Sequence, residues 1–176
     1  ETTGLDRKQD KIIEIALVKF DEETFEIIET YSTFINPGIS IPELISNITH
    51  IHNSDVENAP KIKEVQLEIL QFIWNYPLLW HNVSFDRDFF IENGIDISQN
   101  ITLDTFFLAN FLCLYVKSLN LEMLCKHFWI WFSWAHRALN DVYATIWLFE
   151  KLLEKFQWLS KEKKEQLHYI FSLSED

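Results

Sequence analysis

Glycine is scarce in this sequence of 176 residues: there are three, where average usage near 7% would give about 12. Cysteine occurs twice, too rarely for a disulfide framework. Cys113 and Cys125 sit beside leucines in helical patterns and read as buried thiols in a reducing, cytoplasmic setting. No run of about eighteen uncharged apolar residues is present, which excludes a membrane-spanning helix. The first residues are polar and acidic, not the basic-then-apolar order of a secretion signal. Cationic residues are outnumbered, 15 Lys and Arg against 27 Asp and Glu, for a net charge of −12. That balance argues against broad, sequence-blind gripping of a phosphate backbone, which depends on neutralising phosphates. Internal repeats, low-complexity tracts and linkers are also missing.

What is present suits one soluble globular domain, with 48% hydrophobic and 24% charged residues. Lys11–Phe20 alternates as a strand, Asp21–Thr24 turns, and Phe25–Ile35 returns as a second strand. Asn36-Pro37-Gly38 stops it, and Ile41–Pro60 is irregular with short helical stretches. Pro60 precedes an amphipathic helix over Ile62–Ile73. Pro77–Trp80 is a short buried strand, Ser84 an expected N-cap for a helix over Phe85–Asn93, and Gly94 its stop. Ile101–Leu103 is a further strand, followed by helices near Thr105–Leu114 and Leu119–Phe128. After a loop from Trp129 to Ala135 comes the longest helical pattern. Leu139, Val142, Ile146, Phe149, Leu153 and Phe156 form its apolar stripe. Ser160 caps a last helix over Lys161–Phe171. The order of elements predicts an α/β fold with a mixed sheet, hairpin first and crossovers after.

Three acidic residues fall at strand ends or helix starts, where open α/β sheets place their chemistry. Glu1 heads a Thr-Thr-Gly turn, Asp86 lies in the first turn of its helix, and Asp141 opens the long helix with His136 just ahead of it. Carboxylate oxygens suit hard cations such as Mg²⁺, and two such ions about 4 Å apart stabilise both the attacking and leaving oxygens of a phosphoryl displacement. A histidine, the side-chain type that titrates near neutrality, suits removal of the attacking water's proton. A site that brings its own cations also removes the objection that the acidic balance raises against a nucleic-acid substrate.

Glu1-Thr2-Thr3-Gly4-Leu5 resembles the end of the first motif of the DnaQ-like DEDDh 3′–5′ exonucleases, Asp-x-Glu-Thr-Thr-Gly-Leu. His81-Asn82-Val83-Ser84-Phe85-Asp86 is similar to their second motif, and His136-Arg137-Ala138-Leu139-Asn140-Asp141 to their third. Asn36-Pro37-Gly38, Asp55-Val56, Ala59-Pro60, Leu103-Asp104-Thr105 and Ser118–Leu121 also follow the family's pattern, so the resemblance covers essentially the whole chain.

The resemblance implies a ribonuclease H-like three-layer fold with a mixed sheet of about five strands. It implies two Mg²⁺ or Mn²⁺ ions held by Glu1, Asp86 and Asp141, with His136 as general base. Thr2, Thr3 and Leu5 would line the pocket of the 3′-terminal nucleotide, Leu5 as a wedge against its base, and Asn82 and Phe85 would support the terminal sugar or the packing of the motif. His50, His52, His81, His127 and His168 are expected to be structural or surface residues. The implied reaction releases nucleoside monophosphates from a single-stranded or frayed DNA 3′ end, in proofreading or repair. A DNA polymerase or a fused helicase or polymerase region would be the partner. Alternatives are an RNA-trimming exonuclease of the same fold and a catalytically inactive domain that binds nucleic acid or a partner. The family's first Asp stands two residues before its Glu, on the same face of a central strand. The expectation is therefore a single exonuclease domain over 1–176, incomplete at its N-terminus. As it stands the chain should be nearly inactive and poorly stable, and an Asp two positions upstream of Glu1 would favour the enzyme over the binding module.

The seven tryptophans are oddly placed. Trp80 precedes His81-Asn82 where the family usually has Gly. Trp74 and Trp129 follow helix ends, and Trp158 lies between one helix and the cap of the next. Those are positions that favour a left-handed residue and hence glycine. Trp131 and Trp134 crowd the loop before His136, and only Trp147 sits where a large apolar residue is ordinary. The expectation is that some or all are glycine in the living organism, encoded by UGA. Converting all seven would bring glycine to ten, near average usage.

Overall fold

The computed structural model describes residues 1–131 and 136–172, with side chains through residue 166. Trp134 and the side chain of His168 lie outside the described residues. β1 (Glu14–Phe20) and β2 (Ile27–Phe34) form an antiparallel hairpin with Glu14 opposite Phe34. Its turn is tied by Asp21, whose carboxylate accepts from the backbone of Glu23 and Thr24. Two short helices, α1 (Glu43–Thr49) and α2 (Asn53–Val56), are the helical stretches expected within Ile41–Pro60. α3 (Ile62–Ile73) has the bounds that its periodicity predicts. β3 (Leu78–Trp80) leads to α4 (Val83–Glu92), and β4 (Thr102–Asp104) pairs parallel with β3. The chain continues through α5 (Thr105–Leu112), α6 (Leu121–His127), α7 (Ala138–Gln157) and α8 (Lys161–Ser172). The described strands thus form two pairs, one antiparallel and one parallel, that are not hydrogen-bonded to each other.

Alternation along β1 divides its side chains between two layers. Ile15 and Leu17 join Val65, Ile69 and Ile73 of α3 and Phe89 and Phe90 of α4 in the largest core. Glu14 and Ala16 lie on the alternate side, and α7 packs against this strand. A second core holds α7 against α5 and α6 through Leu148, Leu152, Ala109, Leu112 and Leu124. The stripe read from the sequence is therefore only part of what α7 buries. Its most buried residues, Ala144, Leu148 and Leu152, belong to a neighbouring stripe, because this helix is covered by the hairpin and by two helices at once. Cys113 and Cys125 are buried free thiols, as expected. No described helix is long and apolar enough to cross a membrane.

Candidate active site

Asp141 stands in the first turn of α7, and its Oδ1 is buried with no hydrogen-bonding partner. Burial, and then the negative charge of Glu1, pushes its carboxyl up to about 7 from an ordinary 3.8. A hydrogen bond from the backbone of His136 opposes that rise. Asp86, in the first turn of α4, behaves alike. Desolvation raises it to about 6, and the Glu1 carboxylate pushes it further up. The charge of the same glutamate thus acts on both aspartates. Burial and then the Asp141 charge lift the buried Cys125 thiol to about 12.

Each acidic residue is delivered by different local chemistry. Glu1 runs antiparallel beside the start of β1, its carbonyl accepting from Ile13 at 2.9 Å, and Thr2 bridges to Ile12. Asp86 depends on the start of α4, where the structure departs from expectation. Ser84 is not the N-cap. The helix begins two residues earlier than expected, at Val83, after a left-handed Asn82 whose side chain caps nothing. The cap comes from β4: Asp104 accepts from Asn82 N at 2.9 Å and Val83 N at 3.0 Å. Its Oδ1 also accepts from Phe106 N at 2.8 Å, so one carboxylate caps α4 and α5 together. A cap 22 residues away carries no local signature.

His136 is exposed at a bend with φ of 66°, immediately before Arg137, the N-cap residue of α7. The Arg137 side chain does not cap the helix. It reaches back to Glu14 of β1, whose carboxylate also accepts from Ala138 N at 2.9 Å. Glu14 and Asp104 were both missed as functional candidates. The only trace of Glu14 in the sequence is a charge set between Ile13 and Ile15 of a buried strand.

Of the expected substrate contacts, the structure brings Leu5 and Phe85 together. With Asp6, Arg7, Asp88 and Phe89 they line an open cleft of about 400 Å³, in which Leu5 is 84% exposed and Arg7 is ion-paired to Asp88. Thr2, Thr3 and Asn82 do not line it. The Thr2 hydroxyl donates to Gly4 O at 2.6 Å. Thr3 is 2% exposed, and its hydroxyl donates to Asp10 Oδ1 at 3.0 Å and accepts from Lys11 N at 2.9 Å, which is a structural knot. His81 is structural as expected: its Nδ1 lies 2.8 Å from Thr105 Oγ1, its Nε2 is buried without a partner, and burial lowers its pKa.

Glu1, Asp86 and Asp141 are the hard oxygen donors a divalent cation requires, and the orphaned Asp141 oxygen is a lone pair without a use inside the protein. Their grouping is not a closed chelate. Among the described residues no three His, Cys, Asp or Glu side chains already stand close enough to hold a metal ion.

Residues 1–149 match the exonuclease family. The chain is 34% identical over 178 residues to the DNA polymerase III PolC-type protein of Clostridium perfringens, covering 99% of this chain and 12% of that protein. The PolC-type protein of Caldanaerobacter subterraneus is 35% identical over 173 residues, again with 12% of its length covered. The chain therefore spans about an eighth of these relatives. Among solved structures, exonuclease X in complex with 5′-overhanging duplex DNA superposes with a TM-score of 0.70 at 24% identity, covering 92% of both chains. Escherichia coli exonuclease I in complex with a dT13 oligonucleotide gives 0.73 at 23%, covering 97% of this chain and 42% of that one. At these identities the likeness is one of fold. With the family match, the three motifs in order and the shared ribonuclease H-like fold, the chain belongs to the DnaQ-like 3′–5′ exonucleases.

Proposed function

We propose that this domain removes nucleoside monophosphates from DNA 3′ ends, single-stranded or frayed, by hydrolysis assisted by two Mg²⁺ or Mn²⁺ ions, in proofreading or repair beside a DNA polymerase. The observation that carries this reading is the buried Asp141 oxygen without a hydrogen-bonding partner, with the Glu1 charge acting on both Asp141 and Asp86. Divalent ions held by these three carboxylates would supply the positive charge that steadies the attacking and leaving oxygens of the scissile phosphate. The PolC-type relatives support the polymerase partner.

The chain's own residues do the rest. The cleft at Leu5 and Phe85 receives the terminal nucleotide, with exposed Leu5 against its base and half-buried Phe85 behind it. His136 stands exposed one turn before Asp141 and takes the proton of the attacking water on its imidazole. Its backbone bond to Asp141 keeps the proton acceptor and the carboxylate in register.

The test uses the complete gene product with Mg²⁺ and 5′-labelled single-stranded DNA. A ladder shortening one nucleotide at a time from the 3′ end, with mononucleotides released and activity abolished by EDTA, is the expected result. Internal cuts, a strong preference for the same sequence in RNA, or binding without cleavage would each overturn the reading.

A further inference from the structure

We propose that Glu14 is a positioning residue of the exonuclease site, a strut that joins the first motif to the third. Glu14 belongs to none of the three motifs and is only 4% exposed. A carboxylate that deep needs compensation by charge and hydrogen bonds. It has both. Arg137 NH2 donates to its Oε1 at 2.9 Å and Arg137 Nε reaches both oxygens at 3.3 Å, while the guanidinium lies 5.4 Å from the Phe34 ring. Its Oε2 accepts from the backbone of Ala138, the first residue of α7. Glu14 therefore replaces the local N-cap that α7 lacks, and places negative charge at the helix N-terminus.

The main chain of the same residue holds Glu1. Glu14 O accepts from Glu1 N at 2.8 Å, and Glu14 N donates to Glu1 O at 3.3 Å. One residue thus grips Glu1 through its backbone and the start of α7 through its side chain. His136, in its left-handed conformation, is the residue immediately ahead of the clamped Arg137. A shift of this helix start by about 1 Å is enough to cost roughly 10²-fold in rate at a site that works by alignment.

This inference rests on the proposed reading of the site. Its test therefore runs Glu14→Gln and Arg137→Lys beside His136→Ala, in the complete gene product with Mg²⁺, following kcat, KM and melting temperature. Glu14→Gln keeps the shape but removes the charge, and is expected to lower kcat by about 10–100-fold with KM within a few-fold. Arg137→Lys keeps the charge but loses the fork, and is expected to lower kcat by about tenfold even if Glu14→Gln fails to fold. Unchanged kcat in both variants, or a loss that tracks only the fraction unfolded, would overturn the strut. If His136→Ala is itself fully active, the reading of the site fails instead.

A different observation carries a second inference: Trp74 and Trp129 are glycine in the living organism. Trp74 closes α3 at φ 45° and ψ −130°, close to the first central residue of a type II′ turn, a position glycine dominates. Trp129 follows α6 at φ 57°. Neither indole is held by packing, for Trp74 is 70% and Trp129 93% exposed. Gly38 and Gly94 occupy comparable positive-φ sites, at 69° and 73°. By contrast Trp147 lies within α7 and stacks on Tyr143, as a true tryptophan does. Codons 74 and 129 are expected to read UGA, and peptides of the native protein to carry glycine there. UGG at both positions, or tryptophan in the native peptides, would overturn it. Trp74→Gly and Trp129→Gly should each raise the melting temperature by roughly 2–4 °C, and a fall at both would count equally against it.

Discussion

His136→Ala should lower kcat for 3′-terminal release by roughly 10²–10⁴-fold and leave KM within a few-fold, because a general base acts on the transition state more than on the bound nucleotide. The structure supports that separation. His136 lies exposed at a bend ahead of α7 and does not line the cleft of Leu5 and Phe85 that receives the base. Asp141→Asn should cost at least as much. It keeps the size of the side chain but removes the negative charge from an oxygen that has no other partner. The measurement is single-turnover release from a 5′-labelled strand by the complete gene product. Rates equal to wild type in both variants would sink the assigned roles.

Without divalent cations, stability should fall as pH rises from about 4 to about 7, the reverse of an ordinary acid-sensitive protein. Asp86 and Asp141 are pushed up to about 6 and about 7, from 3.8. Groups whose folded pKa lies above the unfolded value stabilise the fold while protonated. That contribution is complete below the unfolded pKa and is lost as pH passes the folded one. At about 1.4 kcal/mol per unit, and after screening by solvent at this partly open site, the loss is roughly 2–4 kcal/mol. Cation binding reverses the sign. Above about pH 7 the carboxylates are ionised, and a cation at a hundredfold its dissociation constant returns about 2.7 kcal/mol. Thermal melts from about pH 4 to pH 8, with and without Mg²⁺, read both effects. In Asp141→Asn the pH dependence should flatten and the Mg²⁺ increment should largely vanish. A melting temperature that climbs with pH in EDTA, or that ignores millimolar Mg²⁺ at high pH, would contradict the site.

Elements whose signals are local were legible residue by residue. α3 follows from its apolar period, and the stop at Gly94 from its φ of 73°. The hairpin turn follows from Asp21, which accepts from its own neighbours. Where the reading slipped, a partner from elsewhere in the chain had intervened. Ser84 looked like a cap because its spacing is right, yet Asp104 fills that role from the adjacent parallel strand. The Thr3 hydroxyl is likewise taken by Asp10 and Lys11 N, partners that its place in the first motif does not announce. The stripe on α7 was read as one apolar face, and the helix packs against β1, β3, α5 and α6.

The sequence by itself determined the family and the order of elements, and put forward Glu1, Asp86, Asp141 and His136 as candidates, because motif spacing and side-chain periodicity are local and survive without a fold. Only the tertiary structure decided that Asp86 and Asp141 are buried, which raises both carboxyls, and that the Glu1 charge acts on each of them. It also decided that Glu14 and Asp104 hold the helices presenting them. Repulsion between carboxylates and capping from a distant strand act through space. Their strength depends on burial and distance, which spacing along a chain does not encode.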